Sequence, residues 1–132
     1  MTAVPQRLLA KLRRICLAFP DAYEEEAWVG TRWMIRKRNF AHVLRIERGW
    51  PPAYASAADS DGPLNVLTFR TSASLRDVLR DAAPRFFHAP WGTRWGTKVM
   101  GLKLDASVDW GEVELLLGES YRLLAPHKRR RG

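Results

Sequence analysis

Apolar residues recur at helical spacing near the start of the chain: Leu8, Leu9, Leu12, Ile15, Cys16 and Phe19 share one face between Gln6 and Phe19. Arg7, Lys11 and Arg14 follow the i, i+4, i+7 stripe opposite, so the pattern predicts an amphipathic helix with a basic outer surface. Pro20 ends it, and the acidic run Asp21, Glu24, Glu25, Glu26 follows. The segments "EAWVG", "RWMIRK" and "NFAHVLRIE" are then rich in aromatic and β-branched residues and divided by Gly30 and by the basic cluster Arg36-Lys37-Arg38-Asn39. They read as a meander of three strands. Residues 49–63, with prolines and two aspartates, read as a long loop, after which "LNVLTFRT" is a fourth strand.

A short second helix is signalled by Ser74 as N-cap, Asp77 three residues on, and an apolar face of Leu75, Val78, Leu79 and Ala82, closed by Pro84. "FFHAPWGTRWG" is an aromatic connection into the strand "TKVMGLKLD". In the last helix Asp109 and Glu112 have the spacing of a capping box, Val108 and Val113 that of a hydrophobic staple, and Val113, Leu116, Leu117, Tyr121 and Leu124 form the buried face. Because strands follow one another instead of alternating with helices, the expected fold is α+β: a largely antiparallel sheet of about five strands with helices packed on one face, in the order α-β-β-β-β-α-β-α. Residues 1–126 make a single domain and residues 127–132 a basic tail.

Composition changes this picture little: 46% apolar and 27% charged residues are ordinary for a globular domain and exclude disorder, collagen-like repeats and a disulfide scaffold. The lone Cys16 cannot pair within the chain, and no apolar run reaches the roughly 18 residues of a membrane span. A soluble cytoplasmic protein is expected, with a monomer as the default state and no membrane partner. The acid-free, Arg-rich first twenty residues also fit a mitochondrial presequence.

Charge is more informative by location than by sum. Of the net +8, half comes from Lys128, Arg129, Arg130 and Arg131 alone. The other basic groups are the stripe Arg7, Lys11, Arg14 and the hairpin tip Arg36, Lys37, Arg38, each able to contact phosphate. A tip that needed only to turn would use Asn-Gly or Asp-Gly.

Catalytic and metal chemistry find no pattern. Cys16 sits on an apolar helix face, which suits a buried inert thiol. His42 and His88 have no spaced Cys or Asp partner, "DSDG" lacks calcium-loop spacing, and Gly92, Gly96 and Gly101 do not match a dinucleotide fingerprint. Glu24, Glu25 and Glu26, as consecutive strand residues, point alternately to opposite faces and cannot converge on one substrate. No catalytic residue, metal or cofactor is expected. Of the six tryptophans, Trp28 and Trp110 suit the core, whereas Trp33, Trp91 and Trp95 could line a ligand pocket.

Three blocks, "CLAFPDAYEEEAWVGTRWMIRKRNFAHVL", "RFFHAPWGTRWGTKVMGLKLD" and "DWGEVELLLGESYRLLAPHKR", together resemble the MmcQ/YjbR-like proteins. The resemblance implies a frataxin-like (CyaY-like) fold that includes the first helix, which argues against a presequence. It also implies a "double wing" sheet and non-enzymatic DNA binding, borne here by Arg7, Lys11, Arg14, Arg36, Lys37, Arg38 and the tail Lys128 to Arg131. The iron site that frataxins build from acids on the first helix does not carry over, because this helix has none. The competing expectation is a protein-interaction or small-ligand module using the tryptophan pocket.

Overall fold

The computed structural model of the protein describes residues 3–82 and 84–125. Its elements run α1 (Gln6–Cys16), β1 (Tyr23–Glu26), β2 (Thr31–Ile35), β3 (Arg38–Ile46), α2 (Pro52–Ala58), β4 (Leu64–Thr71), α3 (Ala73–Ala82), β5 (Phe86–Ala89), a 3₁₀ turn (Arg94–Gly96), β6 (Lys98–Lys103) and α4 (Trp110–Leu124). The strands form one antiparallel sheet of six, in the order β1-β2-β3-β4-β6-β5. The α+β class therefore stands, with one strand and one helix more than the pattern indicated.

The additions have local reasons. Helix α2 occupies the proline-rich segment read as a loop: Pro52 stands at its first turn, where the missing N–H costs nothing, and "AYASAA" favours a helix. Strand β5 lies inside the aromatic connection and pairs with β6, its Phe87 ring covering Gly101, where a Cβ would come within 2.1 Å of that ring. Strand β1 is the acidic "YEEE", earlier than expected, and "AWVG" is instead the turn into β2, closed by Ala27 N–H to Gly30 carbonyl at 3.0 Å. That shift puts Trp28 on the outside at 84% exposure, so it is not a core residue. Trp110 is only half-buried, with the Lys11 ammonium 5.3 Å from its ring centre.

Two caps also differ from expectation. Ser72, and not Ser74, caps α3 by accepting from Leu75 N–H at 3.1 Å. Asp109 caps α4 through Gly111 and Glu112 N–H, but the Glu112 carboxylate turns away to accept from Arg85 at 2.9 Å, leaving half of the capping box.

The two faces of the sheet are covered unequally. On one, α1 and α4 bury Leu12, Cys16, Val113, Leu117 and Leu124 against Trp33, Val43, Leu67, Phe69, Met100 and Leu102, the main core. On the other, α2 covers only one end, packing Ala55 and Ala58 against Leu44, Ile46, Val66 and Phe87. Helices thus lie on both faces, and the uncovered remainder of the second face is concave.

A bulge in β3 shapes that remainder. The β2–β3 register shifts between Trp33 and Met34, leaving Phe40 as the extra residue, and its ring joins Phe19 and Tyr121 on the helix face. Pairing between β3 and β4 begins only at Ala41 with Phe69. Beyond it, the hydroxyl of the fully buried Ser120 on α4 spans the gap, donating to the Phe40 carbonyl at 2.6 Å and accepting from Arg70 N–H at 2.8 Å. No helix in the described residues is long and apolar enough to cross a membrane.

Candidate functional site

The uncovered part of the second face holds a cavity of about 240 Å³. Its floor comes from Asn39 to His42 of β3, Thr68 to Arg70 of β4, Val99 of β6 and Arg32 of β2, and its walls from the Ala27–Val29 turn, Tyr54 of α2 and Trp91. Strand alternation places it: His42, Thr68 and Arg70 occupy the positions facing this side, while Ala41, Val43, Leu67 and Phe69 face the core. His42 and Thr68 are directly paired across the ladder.

The polar groups are held by their neighbours. His42 Nε2 lies 2.6 Å from the Val29 carbonyl, which can only accept, so this nitrogen carries the proton. Nδ1 is then the acceptor, and the Tyr54 hydroxyl donates to it at 3.3 Å. Burial holds the imidazole below its ordinary pKa, with the nearby Arg32 charge acting the same way and the Val29 carbonyl opposing both. His42 is therefore neutral near pH 7. Burial likewise raises the Tyr54 phenol, which stays protonated.

Arg70 is only 6% exposed. Its Nε donates to the Asn39 carbonyl at 3.3 Å, Nη2 to Asn39 Oδ1 at 2.9 Å, and Nη1 to the Gly92 carbonyl, so one side chain ties β3 to the loop that carries Trp91. Gly92 makes this possible: at φ +69° a Cβ there would meet Val99 at 2.9 Å and Arg70 Nη1 at 3.3 Å. Trp91 then rests on Tyr54 with ring centres 4.6 Å apart. Arg32, on β2, gives Nε and Nη2 to a single oxygen of Glu25.

The tryptophans expected to form a pocket do not come together. Trp33 is fully buried on the helix face, where its indole N–H donates to Glu24 at 2.9 Å. Trp95, at φ +59°, sits at the end of the sheet between the guanidinium groups of Arg38 (5.3 Å) and Arg70 (4.7 Å). Only Trp91 of that set lines the cavity, joined by Trp28, a residue expected in the core.

The family model for YjbR matches residues 17–123. The chain belongs to the YjbR family. None of the curated proteins matches it. Among solved structures, a Pseudomonas syringae protein determined by a structural genomics consortium is similar at a TM-score of 0.65 and 14% identity, covering 91% of this chain and 97% of the other. At that identity the likeness is one of fold.

Within this YjbR domain the basic groups lie apart. Arg36 and Lys37 are exposed at the two-residue turn between β2 and β3, both with positive φ (+53° and +65°), whereas Arg38 is drawn back onto Trp95. Lys11 leans on Trp110, and Lys11 and Arg14 flank a groove at the start of α4 that Glu114 also lines. Tyr121, eleven residues or about 16 Å along α4 from Trp110, meets Phe40 close to the tip, so the groove of Lys11 and Arg14 lies toward the opposite end of α4. Lys128 to Arg131 fall outside the described residues.

The acids divide as strand geometry requires. Glu24 turns to the helix face and accepts from Arg13 Nε and Nη2, both at 2.8 Å, while Glu25 turns to the pocket face and Arg32. The Arg13 hydrogen bonds hold the Glu24 carboxyl below its usual pKa against the opposing effect of burial. Cys16 is buried in the core, and desolvation pushes its thiol well above the ordinary value.

Arg32, Asn39, Tyr54 and Arg70 escaped the sequence reading as site residues. The legible signal was Thr68 and Arg70 recurring on one side of an otherwise apolar strand. Which polar residues of β3 they would face depended on the register.

Proposed function

We propose that this YjbR-family protein is a non-catalytic binding protein whose ligand site is the concave pocket on the half-covered face of the sheet. The observation that carries the reading is convergence. Arg32, Asn39, His42, Tyr54, Thr68 and Arg70, drawn from β2, β3, α2 and β4, meet in one cavity between Trp28 and Trp91. Concave sites of mixed apolar and polar lining, fixed by a few oriented groups, are the usual form of small-molecule sites. Among the described residues that line it, the imidazole donates to the Val29 carbonyl and accepts from Tyr54, whose phenol burial keeps protonated, an arrangement suited to holding a wall in place.

A fragment screen read by ¹⁵N–¹H spectra tests this. Hits should shift the Trp28 and Trp91 indole signals and the His42 amide, and Trp91→Ala should abolish those shifts. Hits that cluster on other surfaces, or that survive Trp91→Ala unchanged, would overturn it.

A second reading, contact with a nucleic-acid backbone, is favoured by the tip. Arg36 and Lys37 hold left-handed backbone at a position where glycine or asparagine would sit freely, at a cost of about 1 kcal/mol each. Charged residues kept in such a turn are suited to meeting an anion outside the molecule. With Arg38 drawn onto Trp95, the tip offers few phosphate contacts. Anisotropy with a short duplex should give a slope of log K against log salt of about −2, abolished by Arg36→Ala with Lys37→Ala. A slope unchanged in that variant removes the tip from the interface.

A further inference from the structure

We infer that the pocket on the half-covered sheet face takes a small aromatic anion, a molecule of one or two rings bearing a carboxylate or similar group. The inference rests on the binding reading proposed above and adds the chemistry of the ligand. Size comes first. A cavity of about 150 Å³ holds benzene. At about 240 Å³ this one has room for a second small ring or a short polar arm.

The lining selects for both halves of such a molecule. Trp91, Trp28 and Tyr54 present aromatic surface to the cavity, and Trp91 is set against Tyr54 at a tilt of 59°, so the two rings form one packed wall. Two guanidinium groups, Arg32 and Arg70, line the cavity, and among the described residues that line it there is no carboxylate. His42 is neutral, so it neither adds to this field nor opposes it. An aromatic cation would meet these two guanidinium groups, and Glu25, the carboxylate beside Arg32, is already paired with it.

Arg32 supplies the specific contact. Its Nε and Nη2 both address one oxygen of Glu25, leaving the two N–H groups of Nη1 outside that pair. With both side chains more than a third exposed, the pair is readily exchanged. A ligand carboxylate would compete with Glu25 for the same guanidinium. Glu25 is thus a built-in rival of the ligand, and weakening it should strengthen binding.

The test compares three probes of nearly one shape: indole-3-acetate, indole-3-acetamide and tryptamine, titrated into the full chain and followed by the Trp28 and Trp91 indole signals. The acetate should bind about tenfold tighter than the amide, as a carboxylate replaces a neutral carbonyl as the acceptor facing the guanidinium, and tryptamine should bind least. Arg32→Gln, on an edge-proximal strand and outside the core, should remove the acetate's advantage, bringing acetate and amide to nearly equal affinity. Glu25→Gln should increase acetate affinity. If acetate and amide bind equally, or Glu25→Gln weakens the acetate, the anion inference is overturned while the pocket stands. If no probe shifts either indole signal at concentrations up to about 10 mM, both the inference and the binding reading fall.

Discussion

The two faces of one sheet, built from alternate residues of the same strands, have opposite characters. On the helix side Trp33, Val43, Leu67, Met100 and Leu117 are completely buried, and the polar Ser120 among them satisfies two backbone groups at once. On the other side His42, Thr68 and Arg70 stand beyond the end covered by α2, with Val99 beside Arg70, and Trp28 stands in solvent. The contrast shows where each face spends its chemistry. The dry face supplies stability through close packing, and the other keeps polar groups oriented around a space it does not fill.

The sharpest way to test that division is to damage the dry face alone. Leu117→Ala removes a fully buried α4 side chain and should cost about 3 kcal/mol in urea denaturation. Probe binding at the pocket should survive at temperatures where the variant stays folded. Ser120→Ala strikes the element that joins the faces, since it leaves the Phe40 carbonyl and Arg70 N–H without their shared partner. A loss of about 2 kcal/mol is expected, accompanied by shifts in the Arg70 and Asn39 signals on the pocket side.

Acid separates the faces by pH. Burial depresses the His42 pKa, so the native state binds fewer protons than the unfolded chain: this contribution to stability is complete above about pH 6.5 and is lost as pH falls through the folded value. Glu24 is also depressed, by Arg13, and its contribution fades only below the carboxyl range near pH 4.3. Urea midpoints should therefore fall first from the pocket side, and His42→Gln should flatten that first step while leaving the lower one. The smallest expected change in stability is for Trp28→Ala, within about 0.5 kcal/mol because the ring is exposed. Its effect should be seen in probe affinity instead. A large loss of stability from Trp28→Ala would mean that the wall of the pocket is part of the core after all.

How far the sequence carries depends on the range of the interactions involved. Helix α4 was legible residue by residue because its cap and its 3.6-residue stripe are local. The acids Glu24 to Glu26 read as strand residues, but the first strand was centred on "EAWVG" because β1 is held by Arg13 and Arg32, partners 11 and 7 residues away that no strand propensity encodes. Prolines at 51 and 52 looked like loop punctuation, although one of them begins a helix.

The sequence by itself determined the α+β class, the family resemblance, the basic turn at Arg36-Lys37 and the inert placement of Cys16 in the apolar stripe of α1. All of these follow from periodicity, turn chemistry or block order along the chain. Only the tertiary structure decided the pocket. His42 meets Thr68 through the register of β3 on β4, Arg70 reaches the Trp91 loop across 22 residues because Gly92 lets the backbone close in, and Trp33 and Trp95 leave the set expected to form it. Pairing register and close approach are set by the whole packed sheet, and no local window of sequence contains them.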